Sequence, residues 1–143
     1  MDRIIKFRGK RKDNGEWIYG NLVIDEEKYY ICLGINEHIK RDDYEVYMLE
    51  VIPETIGQFT ELCDKNGKEI YDGDIIKYNQ YWEGDYYFPD GYGIIMWDKE
   101  ESMFFLSAES PQSQWIDLFN LTRNLNSEVI GNIIDNKNLS GEE

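Results

Sequence analysis

The chain has 143 residues, 41% of them hydrophobic, and a formal charge of −14. Eleven Tyr, six Phe and four Trp are too much aromatic surface for a disordered chain, and the length suits one domain with a real core. The acidic balance opposes general attraction to nucleic acid or an anionic membrane, and no stretch approaches the ~20 apolar residues of a spanning helix.

Strand-like runs alternate with turn signals along the chain. Arg3–Arg8 reads as a first strand and Trp17–Ile24 as a second. Between them stands Asp13-Asn14-Gly15, whose Asn-Gly pair favours a type I′ hairpin turn. Lys28–Ile35 alternates, with Tyr29, Ile31, Leu33 and Ile35 on one face. Glu45–Ile52 is a fourth run, ended by Pro53. Lys65-Asn66-Gly67 repeats the Asn-Gly signal. Asp72-Gly73-Asp74 turns into Asp74–Trp82, Pro89-Asp90-Gly91 breaks that run, and Gly93–Trp97 pairs with Met103–Ser107 as a hairpin. Glu128–Ile134 closes the fold.

Within Ser110–Leu125 two readings stand. Ser110 and Pro111 open a helix with Trp115, Leu118, Phe119 and Leu125 at helical spacing, or Trp115–Phe119 is a short strand. The segments Asn14–Gly20 and Asn66–Gly73 resemble each other as turn, short strand and turn, which shared hairpin grammar explains.

These runs predict a mainly β fold: a small SH3-like barrel or β-sandwich of short antiparallel strands, with at most one short helix near 111–125. The expected organisation is a single domain over 1–143. Within it, an N-terminal β-meander over 1–50 packs on a small barrel over 51–135, and 136–143 form a flexible tail. The start has no apolar run of signal-peptide length. Two far-spaced cysteines, Cys32 and Cys63, suit free thiols in a reducing cytoplasm.

Catalytic and metal chemistry find little support. His38 is the one histidine, in the polar stretch Asn36–Asp43, and a triad would need a nucleophile and an orienting group around it. Carboxylates near Cys63 disfavour its thiolate. Cys32 reads as a small core residue. Asp64-Lys65-Asn66-Gly67 begins like a calcium loop, but the positions that should hold Gly and Glu hold Glu69 and Ile75. Asp72 and Asp74 are better explained as turn carboxylates bonded to their own backbone than as a metal pair. No catalytic residue, cofactor or metal site is expected.

Two surfaces invite partners. Lys6, Arg8 and Lys10 alternate along the first strand opposite Ile5 and Phe7, and Arg11 and Lys12 follow in the turn. Residues 1–12 hold six basic residues against Asp2, a local +5, so the rest of the chain carries −19 (−14 less +5). Such a patch can contact phosphate or a protein partner, or simply pair with nearby carboxylates. The second surface is the 78–92 window, with Tyr81, Trp82, Tyr86, Tyr87 and Phe88 at its centre. It holds Glu83, Asp85 and Asp90 but no Lys or Arg. That composition fits a protein interface better than a nucleic-acid platform, which pairs aromatics with cations. A hairpin packed on the fold is the plainer alternative. Short strand edges and aromatic density also suit a homo-oligomer.

The stretch Val51-Ile52-Pro53-Glu54-Thr55-Ile56-Gly57-Gln58-Phe59-Thr60, followed by Asp64-Lys65-Asn66-Gly67-Lys68-Glu69-Ile70-Tyr71-Asp72-Gly73-Asp74-Ile75-Ile76-Lys77, resembles the signature of the YopX family. These are small proteins encoded by phages and prophages, largely in Gram-positive bacteria. The opening Ile5-Lys6-Phe7-Arg8-Gly9-Lys10-Arg11, with Asn14-Gly15-Glu16-Trp17 and Tyr19-Gly20, and the closing Glu128-Val129-Ile130-Gly131-Asn132-Ile133 are similar to the family's two ends. The chain departs from the family pattern at Cys63, where a lysine-like residue is expected, and over 25–45 and 80–92. The resemblance implies a phage-related origin and a β-rich fold, and it brings no catalytic residue. Two functional readings follow. One is a non-enzymatic protein that binds nucleic acid or a nucleoprotein complex. The other is an acidic factor that engages a host protein, by DNA-like charge mimicry among other means.

Overall fold

Nearly every run of alternating or β-branched residues finds an antiparallel partner. The computed structural model describes residues 3–34, 39–41, 44–108, 116–117 and 127–136. The chain divides into two compact units, Met1–Phe59 and Thr60–Glu143.

In the first unit, β1 (Phe7–Lys10), β2 (Trp17–Asp25) and β3 (Lys28–Cys32) form a meander. A small hairpin, β4 (Ile39–Arg41) and β5 (Tyr44–Val46), stands apart in pairing, and β6 (Met48–Glu50) returns beside β3. The order is β6-β3-β2-β1, with the start of β7 (Gly57–Cys63) on the far side of β1. Alternation decides which side chains go inward. Ile18, Ile31, Leu49 and Val51 are buried together, and Phe7, Leu22, Tyr29, Leu33 and Ile56 pack against them. Full burial of an apolar side chain such as Ile31 stabilises the fold by about 1.5–3 kcal/mol. A 3-10 turn, Pro53–Thr55, leads into β7. Its Thr55 hydroxyl accepts the Lys10 N–H at 2.8 Å and donates to the Ile52 carbonyl at 2.6 Å. This fixes the turn to β1.

The second unit begins within β7, whose end lies beside β8 (Glu69–Tyr71). Then come β9 (Asp74–Tyr78), the hairpin β10 (Tyr81–Glu83) and β11 (Tyr86–Phe88), β12 (Gly91–Asp98), β13 (Met103–Ala108), β14 (Ile116–Asp117) and β15 (Glu128–Asn132). Five of these form one sheet in the order β14-β13-β12-β9-β15, while β10 and β11 form a separate two-stranded ribbon. The core of this unit is Ile70, Ile76, Tyr78, Ile95 and Leu106, with Leu62, Phe104 and Val129 against it.

The mainly β, antiparallel expectation holds, but the described strands make open sheets. β14 and β15 end the five-stranded sheet without pairing to each other, so no barrel closes among the described residues. Several boundaries also move. The first strand lies at Phe7–Lys10 rather than Arg3–Arg8, because it pairs with β2 from Phe7↔Gly20 to Lys10↔Trp17. The run Glu45–Ile52 is two strands, since β6 is held separately by β3. The run Asp74–Trp82 breaks after Tyr78, and Gly57–Cys63, which shows little alternation, is a strand.

Neither Asn-Gly pair makes a type I′ turn, which needs positive φ at both residues. Only Gly15 (φ 76) and Gly67 (φ 81) are positive. Arg11 N–H donates to the Glu16 carbonyl and Asp64 N–H to the Lys68 carbonyl, each at 2.8 Å. The loops are therefore four and three residues long.

Of the ambiguous 110–125 segment, Ile116–Asp117 is a strand paired with Leu106 and Phe105, and the rest lies outside the described residues. So do Ile35, His38 and residues 137–143. Asn136 is held back by its N–H to the Asn132 carbonyl at 2.8 Å. No helix among the described residues is long and apolar enough to cross a membrane.

Candidate functional site

Strand alternation brings Arg8 and Lys10 to one face of β1, and the β1–β2 register decides what they meet. Lys10 lies opposite Trp17 in the ladder. Its ammonium stands 5.4 Å from the Trp17 ring centroid, and the Arg8 guanidinium stands 4.9 Å from the same centroid. Arg8 is buried at 7% exposure, so its stem packs as well as its charge. Lys6 sits 5.1 Å from the Phe59 ring centroid.

Arg11 is buried too. Its Nε and Nη2 donate to the two Asp13 carboxylate oxygens at 2.9 and 2.8 Å, and Glu16 lies 3.8 Å away. The Asp13 hydrogen bond, working against burial, raises the Arg11 pKa above its ordinary value. Lys12 pairs with Glu50 at 3.0 Å. All five predicted contact cations thus meet a ring or a carboxylate of their own unit.

The aromatic window behaves differently. β10 and β11 pair as Tyr81↔Phe88, Trp82↔Tyr87 and Glu83↔Tyr86 across a two-residue turn, Gly84-Asp85. Gly84 takes φ 61, a backbone region open to glycine at low cost. Trp82 and Tyr87 are direct cross-strand partners, and their ring centroids are 5.0 Å apart. Trp82 is 67% exposed and Tyr87 38%. The Tyr87 hydroxyl donates to Gln80 Oε1 at 2.6 Å, and the Gln80 N–H donates to the Asp90 carboxylate at 2.5 Å, which ties the ribbon's base. Of the other predicted interface aromatics, Tyr81, Tyr86 and Phe88 are placed in the ribbon by backbone pairing.

The acidic motif residues act on the backbone. Asp64 Oδ1 accepts the N–H groups of Asn66 and Lys68, each at 2.9 Å, and Oδ2 accepts that of Val129 at 2.9 Å. Asp74, 1% exposed, accepts the Tyr71 N–H at 2.7 Å. Among the described residues no group of three or more His, Cys, Asp or Glu is placed to hold a metal ion. Cys63 is exposed and Cys32 half-buried.

Sequence reasoning missed the Asp64 clamp, although a short carboxylate two residues before Asn66 and four before Lys68 is the ordinary signal for such a turn. It also missed Met96 and Trp97, which are 44 and 47% exposed on β12, beside Tyr92 of the aromatic window at 56%.

The chain as a whole matches a known family. The model for the YopX protein family covers residues 6–139. The chain belongs to the YopX family. Among solved structures, the crystal structure of protein EF1440 from Enterococcus faecalis is similar. It has 21% identity and a TM-score of 0.56, over 96% of this chain and 98% of that one. At that identity the likeness speaks for the fold. No curated protein matches the chain.

Proposed function

We propose that this YopX protein is a non-enzymatic binding protein of phage-related origin that acts by contacting another protein through its second unit. The observation that carries this reading is the contrast between two aromatic sites. Trp17 and Phe59 lie under the chain's own cations. Trp82 and Tyr87 stand exposed in a window without Lys or Arg. The second unit holds six basic and seventeen acidic residues, a net of −11, against nine and twelve, a net of −3, in the first. An exposed aromatic pair inside such a field suits a partner with a basic surface.

A second reading is favoured by one feature, the placing of Arg8 and Lys10 of β1 around Trp17 of β2. Cation–aromatic clustering of this kind can meet phosphate and base together. The two readings separate in one experiment. Tagged protein is used to capture partners from a Gram-positive lysate with and without nuclease, alongside DNA and RNA gel shifts at low salt. A protein retained after nuclease treatment, with no shift, supports protein contact. A salt-sensitive shift lost when Lys6, Arg8, Lys10 and Lys12 become Gln supports nucleic-acid contact instead.

A further inference from the structure

We infer that the Trp82–Tyr87 pair is a docking platform for arginine side chains of a basic segment in a partner protein. The inference rests on the protein-contact reading above and names the chemistry of the partner. In the first unit the chain's own cations lie over its rings, Arg8 and Lys10 over the half-buried Trp17 and Lys6 over the buried Phe59. Trp97 instead packs edge-on against Phe104, with centroids 4.9 Å apart. Among the described residues no cation lies over Trp82 or Tyr87, and each ring's aromatic neighbour is the other.

The ribbon is set up to keep the pair presented. Cross-strand pairing holds the rings side by side, and the Gly84-Asp85 turn places Asp85 three residues from Trp82. The Tyr87 hydroxyl is already bonded to Gln80, so its ring face, not its hydroxyl, remains for a ligand. Asp85 and Asp90 are both exposed, and the window lacks any basic residue. A planar guanidinium can stack on the Trp82 face while donating to a neighbouring carboxylate, which a lysine ammonium does less well. Charge complementarity thus selects a cationic occupant over a second copy of this acidic chain, and the exposed rings select arginine.

The test uses the intact protein and three fluorescein-labelled octapeptides: octa-arginine, octa-lysine and uncharged octa-citrulline. Fluorescence anisotropy at low salt is expected to show octa-arginine binding that weakens as salt rises. Octa-lysine should bind more weakly and octa-citrulline not at all. Trp82→Ala should weaken octa-arginine binding about tenfold, and Trp82→Phe by less, with unchanged melting temperatures because the ring is exposed. Equal binding by the parent and Trp82→Ala would mean that the general acidic surface attracts the peptide, and would overturn the platform. Absence of octa-arginine binding at low salt would overturn it as well. A nuclease-resistant lysate partner that Trp82→Ala still captures would leave the protein-contact reading standing and remove this platform from it.

Discussion

Asp64 and Val129 stand 65 positions apart and are joined by one bond, from the Val129 N–H to Asp64 Oδ2 at 2.9 Å. Within the second unit this carboxylate ties the turn after β7 to the last strand. Burial works to raise its pKa. The N–H donors of Val129, Lys68 and Asn66, together with the charge of Lys68, prevail and hold it below the ordinary carboxylate value.

A group depressed in the folded state contributes stability above its unfolded pKa, about 3.9 for aspartate, and loses it as pH falls through the lower folded value. Melting temperature should therefore fall below about pH 4, partly through Asp64. Asp64→Asn should cost about 2 kcal/mol at neutral pH, because an amide N–H group then faces backbone donors. The variant should also show a shallower acid dependence than the parent. Coincident melting curves from pH 7 down to about pH 3 would show that the clamp contributes nothing.

The strands that could be read from sequence are those whose inward faces are apolar at every second residue. Tyr29, Ile31 and Leu33 point to the first core as their spacing predicts. β7 was not legible because Gly57-Gln58-Phe59-Thr60-Glu61-Leu62-Cys63 mixes polar and apolar residues, and Glu61 interrupts it at φ 73. The break at Tyr47 follows from tertiary pairing: the Leu33 N–H takes the Tyr47 carbonyl, and no local propensity marks that bond. At the candidate site, alternation placed Arg8 and Lys10 on one face. Only the register revealed Trp17 beside them, and the loop length that sets this register differs from the one an Asn-Gly pair suggests. The Trp82↔Tyr87 pair follows from the Gly84-Asp85 turn, a weaker signal than the aromatic density around it.

Gly73 tests the turn between β8 and β9. It has φ 90, donates its N–H to the Ile95 carbonyl at 2.8 Å and accepts the Ile133 N–H at 2.9 Å. A β-branched residue resists this backbone region, and both bonds depend on it. Gly73→Val should destabilise the fold by at least about 2 kcal/mol, and Gly73→Asn by less, since asparagine tolerates positive φ. Denaturant midpoints measure both, and equal losses would contradict the turn argument.

Arg8 and Lys12 belong to the same basic segment but should differ in their effect on stability. Arg8 is buried against Trp17, whereas Lys12 makes a surface pair with Glu50. Arg8→Gln should cost about 1–2 kcal/mol through lost packing and cation–ring contact. Lys12→Gln should stay within about 0.5 kcal/mol, as exposed ion pairs contribute little. Urea titration orders the two, and a larger loss for Lys12→Gln would reverse the assignment.

Salt should separate two kinds of association at the aromatic ribbon. Copies carrying −14 each repel one another at low ionic strength, with a screening length of ~10 Å at 0.1 M salt and ~3 Å at 1 M. Trp82 and Tyr87 nonetheless present apolar surface, Tyr92 on β12 presents more, and β14 and β15 end their sheet. Self-association through such surface should therefore be weak at low salt and grow as salt rises, since screening removes the repulsion but not the hydrophobic term. Binding of an arginine-bearing segment has the opposite sign, because its attraction is itself electrostatic. Light scattering at high micromolar concentration should give a mass near the monomer at low salt and a higher average near 1 M. Trp82→Ala should reduce that rise. A monomer mass that persists in about 1 M salt would exclude the ribbon as a self-association surface and leave a basic partner as its expected occupant.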